Sequence, residues 1–259
     1  MSQLTNIKLI SFDLDDTLWP CMQTIRVAEA RTYEWLQQHA PVITDNYTPD
    51  TMREKRMAWV KANPEFAHDL TRVRLSALQA HCDEFDLPHE IAEQANAIFR
   101  EARNWVEPFD EVIQGLKQLK QNYRLVAVSN GNAQVEKTPL QGLFDAAFMA
   151  EQVGAAKPHP ALFQASVDRF GVRADECLHV GDDPVRDIEA AANFGMKTAW
   201  MNRTEQMWPS LTKSADISVL NLEELTKLYL GNYREPYREN LYTSRVTNDC
   251  CFFLSSTVY

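Results

Sequence analysis

Three aspartates stand directly after an apolar segment near the start of the chain. In "ISFDLDDTL" (residues 10–18) the acids are Asp13, Asp15 and Asp16, and the hydroxyl of Thr17 follows them. Like charges packed this closely repel one another and raise one another's pKa. Side chains alternate along an extended chain, so Asp13 and Asp15 face the same side. Helix caps and turns also favour Asp and Thr, which explains one such acid well and a facing pair poorly.

A second acidic group lies further along the chain. In "CLHVGDDPVRD" the acids Asp182, Asp183 and Asp187 follow an apolar run. Acids at the start of a helix interact favourably with the helix dipole, so capping is one interpretation. Two acidic pairs that face each other would instead offer oxygen ligands to a hard cation.

Two further segments carry groups that can bind an anion. The segment "SNGN" (129–132) offers the hydroxyl of Ser129, the amide of Asn130 and backbone N–H groups before a predicted helix, and such a turn can hold a phosphate. Taken alone, it is better explained as an ordinary strand-to-helix turn. Lys157 in "AAKPHP" would by default be a solvated surface lysine, although the following proline favours an extended backbone there.

Strands alternate with helices in the second part of the chain. The apolar runs that predict strands are "IKLISFDL", "YRLVAVSNG", "AAFMAEQVG", "CLHVGDD", "KTAWMN" and "ADISV", and the segments that predict helices are "FDEVIQGLKQLKQ", "PALFQASVDRFG", "PVRDIEAAANFG" and "LEELTKLYL". This alternation predicts an α/β fold with a doubly wound, Rossmann-like parallel sheet. Ligands bind such sheets at the carboxyl ends of the strands, where the acidic and polar groups fall.

An all-helical segment interrupts this α/β pattern after the first strand. From Met22 to about Arg103, apolar residues recur at helical spacing, which predicts four helices and no strand. We therefore predict a core formed by residues 1–20 and 105–232 and an inserted α-helical domain at 21–104. The tail at 233–259 matches neither pattern, and its role is unknown.

Composition limits the classes of partner. The chain has 259 residues, a formal net charge of −10 and ordinary hydrophobic content, which argues against a nucleic-acid partner. The N-terminus lacks the apolar core of a signal peptide, and no stretch is long enough to span a membrane. The five cysteines are scattered, which favours free thiols in the cytoplasm. Four histidines without metal-ligand spacing are predicted at the surface: His39, His68, His81 and His89.

The order of these groups resembles a known family. The pattern D-x-D-x-T, then Ser, then Lys, then G-D-D-x-x-x-D is similar to the four motifs of the haloacid dehalogenase-like hydrolase superfamily. The resemblance runs from Ile7 to about Leu230. It implies that the helical insertion is the mobile cap of the superfamily, of the C1 type, and Trp19 is expected where the chain leaves for that cap.

The resemblance implies roles for the acids. Asp13 would be the nucleophile that attacks phosphorus and forms an aspartyl-phosphate. Asp15 would protonate the leaving alkoxide and then deprotonate the attacking water. The Asp13 carboxylate, the Asp15 backbone carbonyl and Asp182 would hold Mg²⁺, although Mn²⁺ also suits such ligands.

The resemblance also implies how a phosphoryl group is held. Its oxygens would contact Ser129, the backbone N–H of Asn130 and Lys157. The resemblance leaves open whether Asp183 contacts the metal. Three residues are assigned to support the site: Thr17, Asp183 and Asp187.

The second aspartate of D-x-D separates activities within the superfamily. Members that cleave carbon–halogen bonds lack it, because no alkoxide needs a proton. The sequence therefore predicts a Mg²⁺-dependent phosphatase for small phosphorylated metabolites, acting as a monomer or homodimer. A sugar phosphomutase and a non-catalytic binding protein with the same fold are the alternatives. The chain is also similar to small bacterial phosphatases of this superfamily that act on flavin precursors and flavin mononucleotide.

Overall fold

A six-stranded parallel sheet forms the centre of the molecule. The computed structural model describes residues 6–209 and 213–231, and within them the strand order is β3-β2-β1-β4-β5-β6. The strands are β1 (Leu9–Phe12), β2 (Arg124–Ser129), β3 (Ala146–Met149), β4 (Cys177–Gly181), β5 (Lys197–Met201) and β6 (Ile217–Val219). This order confirms the predicted α/β, doubly wound fold class.

The central strand β1 is covered on both faces, which explains its continuous apolar sequence. It pairs in parallel with β2 and with β4, and all four of its residues are buried. Ile10 and Phe12 belong to the hydrophobic core on one face, while Leu9 belongs to the core on the other. This alternation follows from the period of two along a strand.

Helices cover the two faces of the sheet. Helices α6 (Val112–Leu119) and α10 (Leu222–Tyr229) pack against one face, and α8 (Ala161–Phe170) and α9 (Ala190–Phe194) against the other. The short helix α7 (Ala150–Val153) follows β3 directly. Gly171 ends α8 and Gly195 ends α9, each in the left-handed conformation that glycine adopts without strain.

Every residue of the helical insertion is described, and it contains five α-helices rather than the predicted four. They are α1 (Cys21–His39), α2 (Pro41–Asn46), α3 (Pro49–Ala62), α4 (Leu70–Glu84) and α5 (Glu90–Ala102). Pro41 and Pro49 each occupy the first turn of a helix, where proline loses no hydrogen bond. The prolines therefore start helices, and α2 is a separate short helix.

The topology brings three segments to one edge of the sheet. The chain runs outward in opposite directions from β1 and β4, so the carboxyl ends of these neighbouring strands form the switch point of the sheet. Asp13 follows β1, Asp182 follows β4, and Ser129 ends β2. None of the described helices has the length and apolarity needed to cross a membrane. The tail at 233–259 lies outside the described residues.

Candidate active site

Lys157 lies buried between two acids at the switch point. Its Nζ atom is 2.7 Å from Asp13 Oδ1 and 2.6 Å from Asp187 Oδ1, and it donates to the backbone carbonyl of Val128 at 2.8 Å. Only 3% of the lysine is exposed. Burial disfavours its charge, but Asp13 and Asp187 outweigh this and raise the pKa of Lys157 above its ordinary value. The alternative interpretation of Lys157 as a solvated surface lysine therefore does not describe this structure.

Asp13, Asp182 and Asp187 form a compact group of carboxylates. One oxygen from each lies within 4.8 Å of the others. Burial, opposed by Lys157, raises the pKa of Asp13 to about 7, and burial together with the charges of Asp13 and Asp187 raises the pKa of Asp182 to about 9. Burial also acts on Asp187, but Lys157 and His179 lower its pKa well below the ordinary value.

This group of carboxylates fits a hard divalent cation. The donors are all carboxylate oxygens, which Mg²⁺ and Mn²⁺ prefer. Burial, together with repulsion from the neighbouring carboxylates, raises the pKa values of Asp13 and Asp182, so a further positive charge would favour their ionised forms. A divalent cation would supply the missing charge.

Neighbouring groups orient Asp182. The hydroxyl of Thr17 donates to Asp182 Oδ1 at 3.0 Å, and the indole N–H of Trp200 donates to the Asp182 backbone carbonyl at 2.8 Å. The side chain of Arg203 donates to the backbone carbonyl of Thr17 at 2.8 and 3.0 Å. Asp182 thus accepts hydrogen bonds from a residue of the segment after β1 and from a residue of β5.

Asp183 has a different position from its neighbour. Its carboxylate accepts the backbone N–H groups of Val185 and Arg186, both at 2.8 Å, and so caps the helical segment Pro184–Glu189. The capping interpretation therefore describes Asp183. In return, the Asp183 backbone N–H donates to Asp187 Oδ2 at 3.0 Å, which orients Asp187 toward Lys157.

The "SNGN" turn connects two parts of the site. The Asn130 side-chain amide donates to the Lys157 carbonyl at 2.9 Å and accepts the Lys157 N–H at 2.7 Å, which fixes the backbone at Lys157. Ser129 Oγ accepts the N–H of Gly131 at 2.9 Å. The predicted helix does not follow this turn; a short 3₁₀ turn at Val135–Lys137 does.

Asp15 is bound by residues from both connections between core and insertion. Arg103 Nη2 lies 2.6 Å from both carboxylate oxygens, and the indole N–H of Trp19 donates to Oδ1 at 2.8 Å. Trp19 lies just before α1, and Arg103 directly follows α5. Asp15 therefore contacts both segments that connect the core with the insertion.

The insertion also contacts the core beside the site. The hydroxyl of Thr71, at the start of α4, donates to Glu151 at 2.5 Å and accepts from the amide of Asn132 at 3.2 Å. Arg100 on α5 lies 3.5 Å from Glu151. These contacts place the N-terminal end of α4 close to the "SNGN" turn.

Sequence reasoning missed several of these residues. No periodicity or motif distinguishes Arg103 from the other basic residues of the insertion, because its burial depends on how α5 returns to the core. The histidine prediction is wrong for His81, which is 2% exposed and packs against the Tyr47 ring inside the insertion. It holds for His89, whose side chain is 48% exposed.

A known protein family matches most of this chain. Residues 7–195 match the model of the haloacid dehalogenase-like hydrolase family. The chain belongs to this family of hydrolases.

Individual proteins of known activity or structure are similar to this chain. Over 234 residues, the chain is 32% identical to the 5-amino-6-(5-phospho-D-ribitylamino)uracil phosphatase YigB of Escherichia coli, covering 87% of this chain and 97% of that protein. It is 28% identical to a glyceraldehyde 3-phosphate phosphatase of Methanopyrus kandleri, covering 76% and 84%. It is also similar to the crystal structure of a 2-haloacid dehalogenase from Pseudomonas syringae, with a TM-score of 0.81, 31% identity, and coverage of 88% and 100%.

Proposed function

We propose that this chain is a Mg²⁺-dependent phosphatase that hydrolyses small phosphorylated metabolites through an aspartyl-phosphate. The observation that carries the proposal is that two nearby aspartates have different partners. Asp13 belongs to the cluster of carboxylates and pairs with Lys157, while Asp15, two residues later, pairs with Arg103. A nucleophile and a separate acid–base group are what hydrolysis of a phosphate ester in two steps requires.

In the first step, Asp13 Oδ attacks phosphorus and the bond from phosphorus to the ester oxygen breaks. Asp15 gives its proton to the departing oxygen, so the alcohol leaves neutral. Lys157 and Ser129 contact the phosphoryl oxygens. The transition state is loose, so positioning and electrostatic stabilisation supply most of the catalysis.

In the second step, water attacks phosphorus and the bond from Asp13 to phosphorus breaks. Asp15, now ionised, accepts the proton of the water and is ready for another cycle. The products are inorganic phosphate and the free alcohol. Asp187 does not react; its contact with Lys157 keeps the ammonium group next to Asp13.

The cluster of carboxylates is where we propose that the metal binds. Asp13, Asp182 and the backbone carbonyl of Asp15 would hold Mg²⁺, and Thr17 would orient Asp182. When bound, the cation neutralises charge on the phosphoryl oxygens and aligns the displacement. The location that we propose is the cytoplasm, where buried thiols such as Cys82 and Cys177 stay reduced.

The relatives support a phosphorylated metabolite as substrate. The similarity to YigB makes phosphorylated ribitylaminouracil the first compound to test, followed by flavin mononucleotide, glyceraldehyde 3-phosphate and other sugar phosphates. The test is release of inorganic phosphate from this panel, with Mg²⁺ and with a chelator. Release that requires the metal supports the proposal, and the order of rates identifies the preferred leaving group. A complete absence of release contradicts it.

Two other activities within the family have a specific observation in their favour. Similarity to a 2-haloacid dehalogenase suggests carbon–halogen cleavage, but Asp15 is the group that an alkoxide leaving group needs. The D-x-D pair also suits a phosphomutase. Halide release from 2-haloacids would support the first alternative, and an isomerised sugar phosphate without free phosphate would support the second.

Metal binding is expected to become more stabilising as the pH rises. Asp13 and Asp182 have raised pKa values in the fold, about 7 and about 9, against 3.8 for an ordinary Asp. Between these values the folded protein binds protons that the unfolded chain has released, so the stability of the metal-free protein falls with increasing pH. A cation competes with those protons. The rise in Tm on adding Mg²⁺, measured by calorimetry, should be larger at about pH 9 than at about pH 6. An Asp182→Asn variant should lose most of this difference, and an equal rise at both pH values would contradict the expectation.

Gly131 is expected to be essential for activity because no side chain fits there. A Cβ atom at this position would lie 2.3 Å from Asp15 Oδ2 and 3.2 Å from Ser129 Oγ. Gly131→Ala should therefore displace Asp15 and lower kcat by about 10²-fold. Steady-state phosphate release measures this, with circular dichroism to check the fold. In an Asp15→Asn background the same change should cost far less, because the displaced group no longer acts. Equal costs in both backgrounds would contradict the explanation.

A further inference from the structure

We infer that Arg103 and Trp19 are positioning residues for the acid–base carboxylate of Asp15. The inference rests on the proposed function and concerns how one of its groups is oriented. Arg103 follows the last helix of the insertion, and Trp19 precedes the first. Both connections between core and insertion therefore contact the same carboxylate.

The contacts at Asp15 determine its orientation. Arg103 Nη2 lies 2.6 Å from Oδ1 and from Oδ2, and Trp19 Nε1 donates to Oδ1 at 2.8 Å. The side-chain exposure of Asp15 is 18%, while Arg103 is 1% exposed and Trp19 is fully buried. Buried donors with few alternative positions hold an acceptor in one orientation more firmly than exposed ones.

The surroundings of Asp15 leave few other positions for the carboxylate. The backbone of Gly131 closes one side of the carboxylate, since a Cβ atom there would lie 2.3 Å from Asp15 Oδ2 and 3.1 Å from Arg103 Nη2. Burying a guanidinium group is costly unless a carboxylate pairs with it. A buried arginine beside the one acid that must meet the leaving group is better explained by positioning than by fold stability alone.

Asp15 acts on the departure of the leaving group, whereas Asp13 acts in the attack on phosphorus. Protonation by Asp15 is needed when the leaving group is a basic alkoxide and is scarcely needed for p-nitrophenolate, which leaves unaided. Attack by Asp13 is needed in both cases. A residue that acts only through Asp15 should therefore change the preference between alkyl and aryl phosphates.

The experiment compares kcat/KM for an alkyl phosphate with kcat/KM for p-nitrophenyl phosphate. This parameter covers the steps up to departure of the leaving group. In Arg103→Met, the alkyl value should fall by about 10²-fold and the aryl value far less. Arg103→Lys should recover part of the alkyl activity. Trp19→Phe, which keeps an aromatic side chain and removes the N–H donor, should shift the ratio in the same direction.

Arg100→Met is the matched control. Arg100 lies in the last turn of α5 and connects the insertion to the core through Glu151 rather than through Asp15. Its ratio of alkyl to aryl activity should equal that of the wild type. An unchanged ratio in both Arg103→Met and Trp19→Phe would overturn the inference, as would an equal fall for both substrates. A wild-type protein that hydrolyses neither substrate would instead contradict the proposed function.

Discussion

Replacing Asp13 with asparagine is expected to lower kcat by on the order of 10⁴-fold or more without loss of the fold. The amide has nearly the same shape as the carboxylate but is not a nucleophile. It also removes a charge from the group in which Asp13, Asp182 and Asp187 offer oxygens within 4.8 Å of one another. Phosphate release under saturating Mg²⁺ measures the loss.

Asp16→Asn is the control for this variant. Asp16 lies in the same segment at φ 59°, a conformation that Asn tolerates well, and its carboxylate accepts the backbone N–H of Cys21 at 2.8 Å. We expect this variant to keep wild-type activity. Comparable activity in Asp13→Asn and the wild type would remove Asp13 from the mechanism.

Replacing Lys157 with methionine is expected to reduce both stability and activity. The change leaves Asp13 and Asp187 buried without their cation, and breaking a buried ion pair in this way costs about 3–5 kcal/mol. Losing a cation that contacts the phosphoryl oxygens should also lower kcat by about 10²–10³-fold. Denaturant unfolding and phosphate release measure the two effects.

The pH dependence of this loss has a definite sign. The depressed pKa of Asp187 contributes stability at pH values above 3.8, the ordinary pKa. This contribution is lost as the pH falls below 3.8 toward the depressed pKa. The raised pKa of Lys157 contributes stability below 10.5 and loses it as the pH rises further. The deficit of Lys157→Met should therefore be largest between these values. Lys8→Met is the control, because Lys8 is 56% exposed in its ion pair with Glu176 and losing that pair should cost far less stability. Equal deficits for the two variants would contradict the explanation.

The positions of the acids could be predicted because they follow from strand order. Asp13 ends an apolar run and Asp182 ends another, and parallel strands bring such ends to one edge of the sheet. The burial of Lys157 could not be predicted in this way. It depends on Asp13 and Asp187, which lie 144 and 30 residues from it along the chain.

Other differences from the sequence prediction have separate causes. The prediction of four helices in the insertion misses one, because Pro41 and Pro49 each begin a helix and α2 has only 6 residues. His81 has no sequence neighbour that signals its burial, which depends on contacts with distant residues such as Tyr47. The ion pair between Arg103 and Asp15 spans 88 residues, and the sequence carries no pattern that joins them.

The most direct test of the account is to trap the phosphoryl group on the protein. Enzyme and substrate are mixed with Mg²⁺, quenched in acid within a single turnover and digested, and the peptides are analysed by mass spectrometry. The account predicts one phosphoryl group on the peptide that contains Asp13, and none in Asp13→Asn. Phosphate release without any phosphorylated peptide, or with the label on another residue, would contradict it.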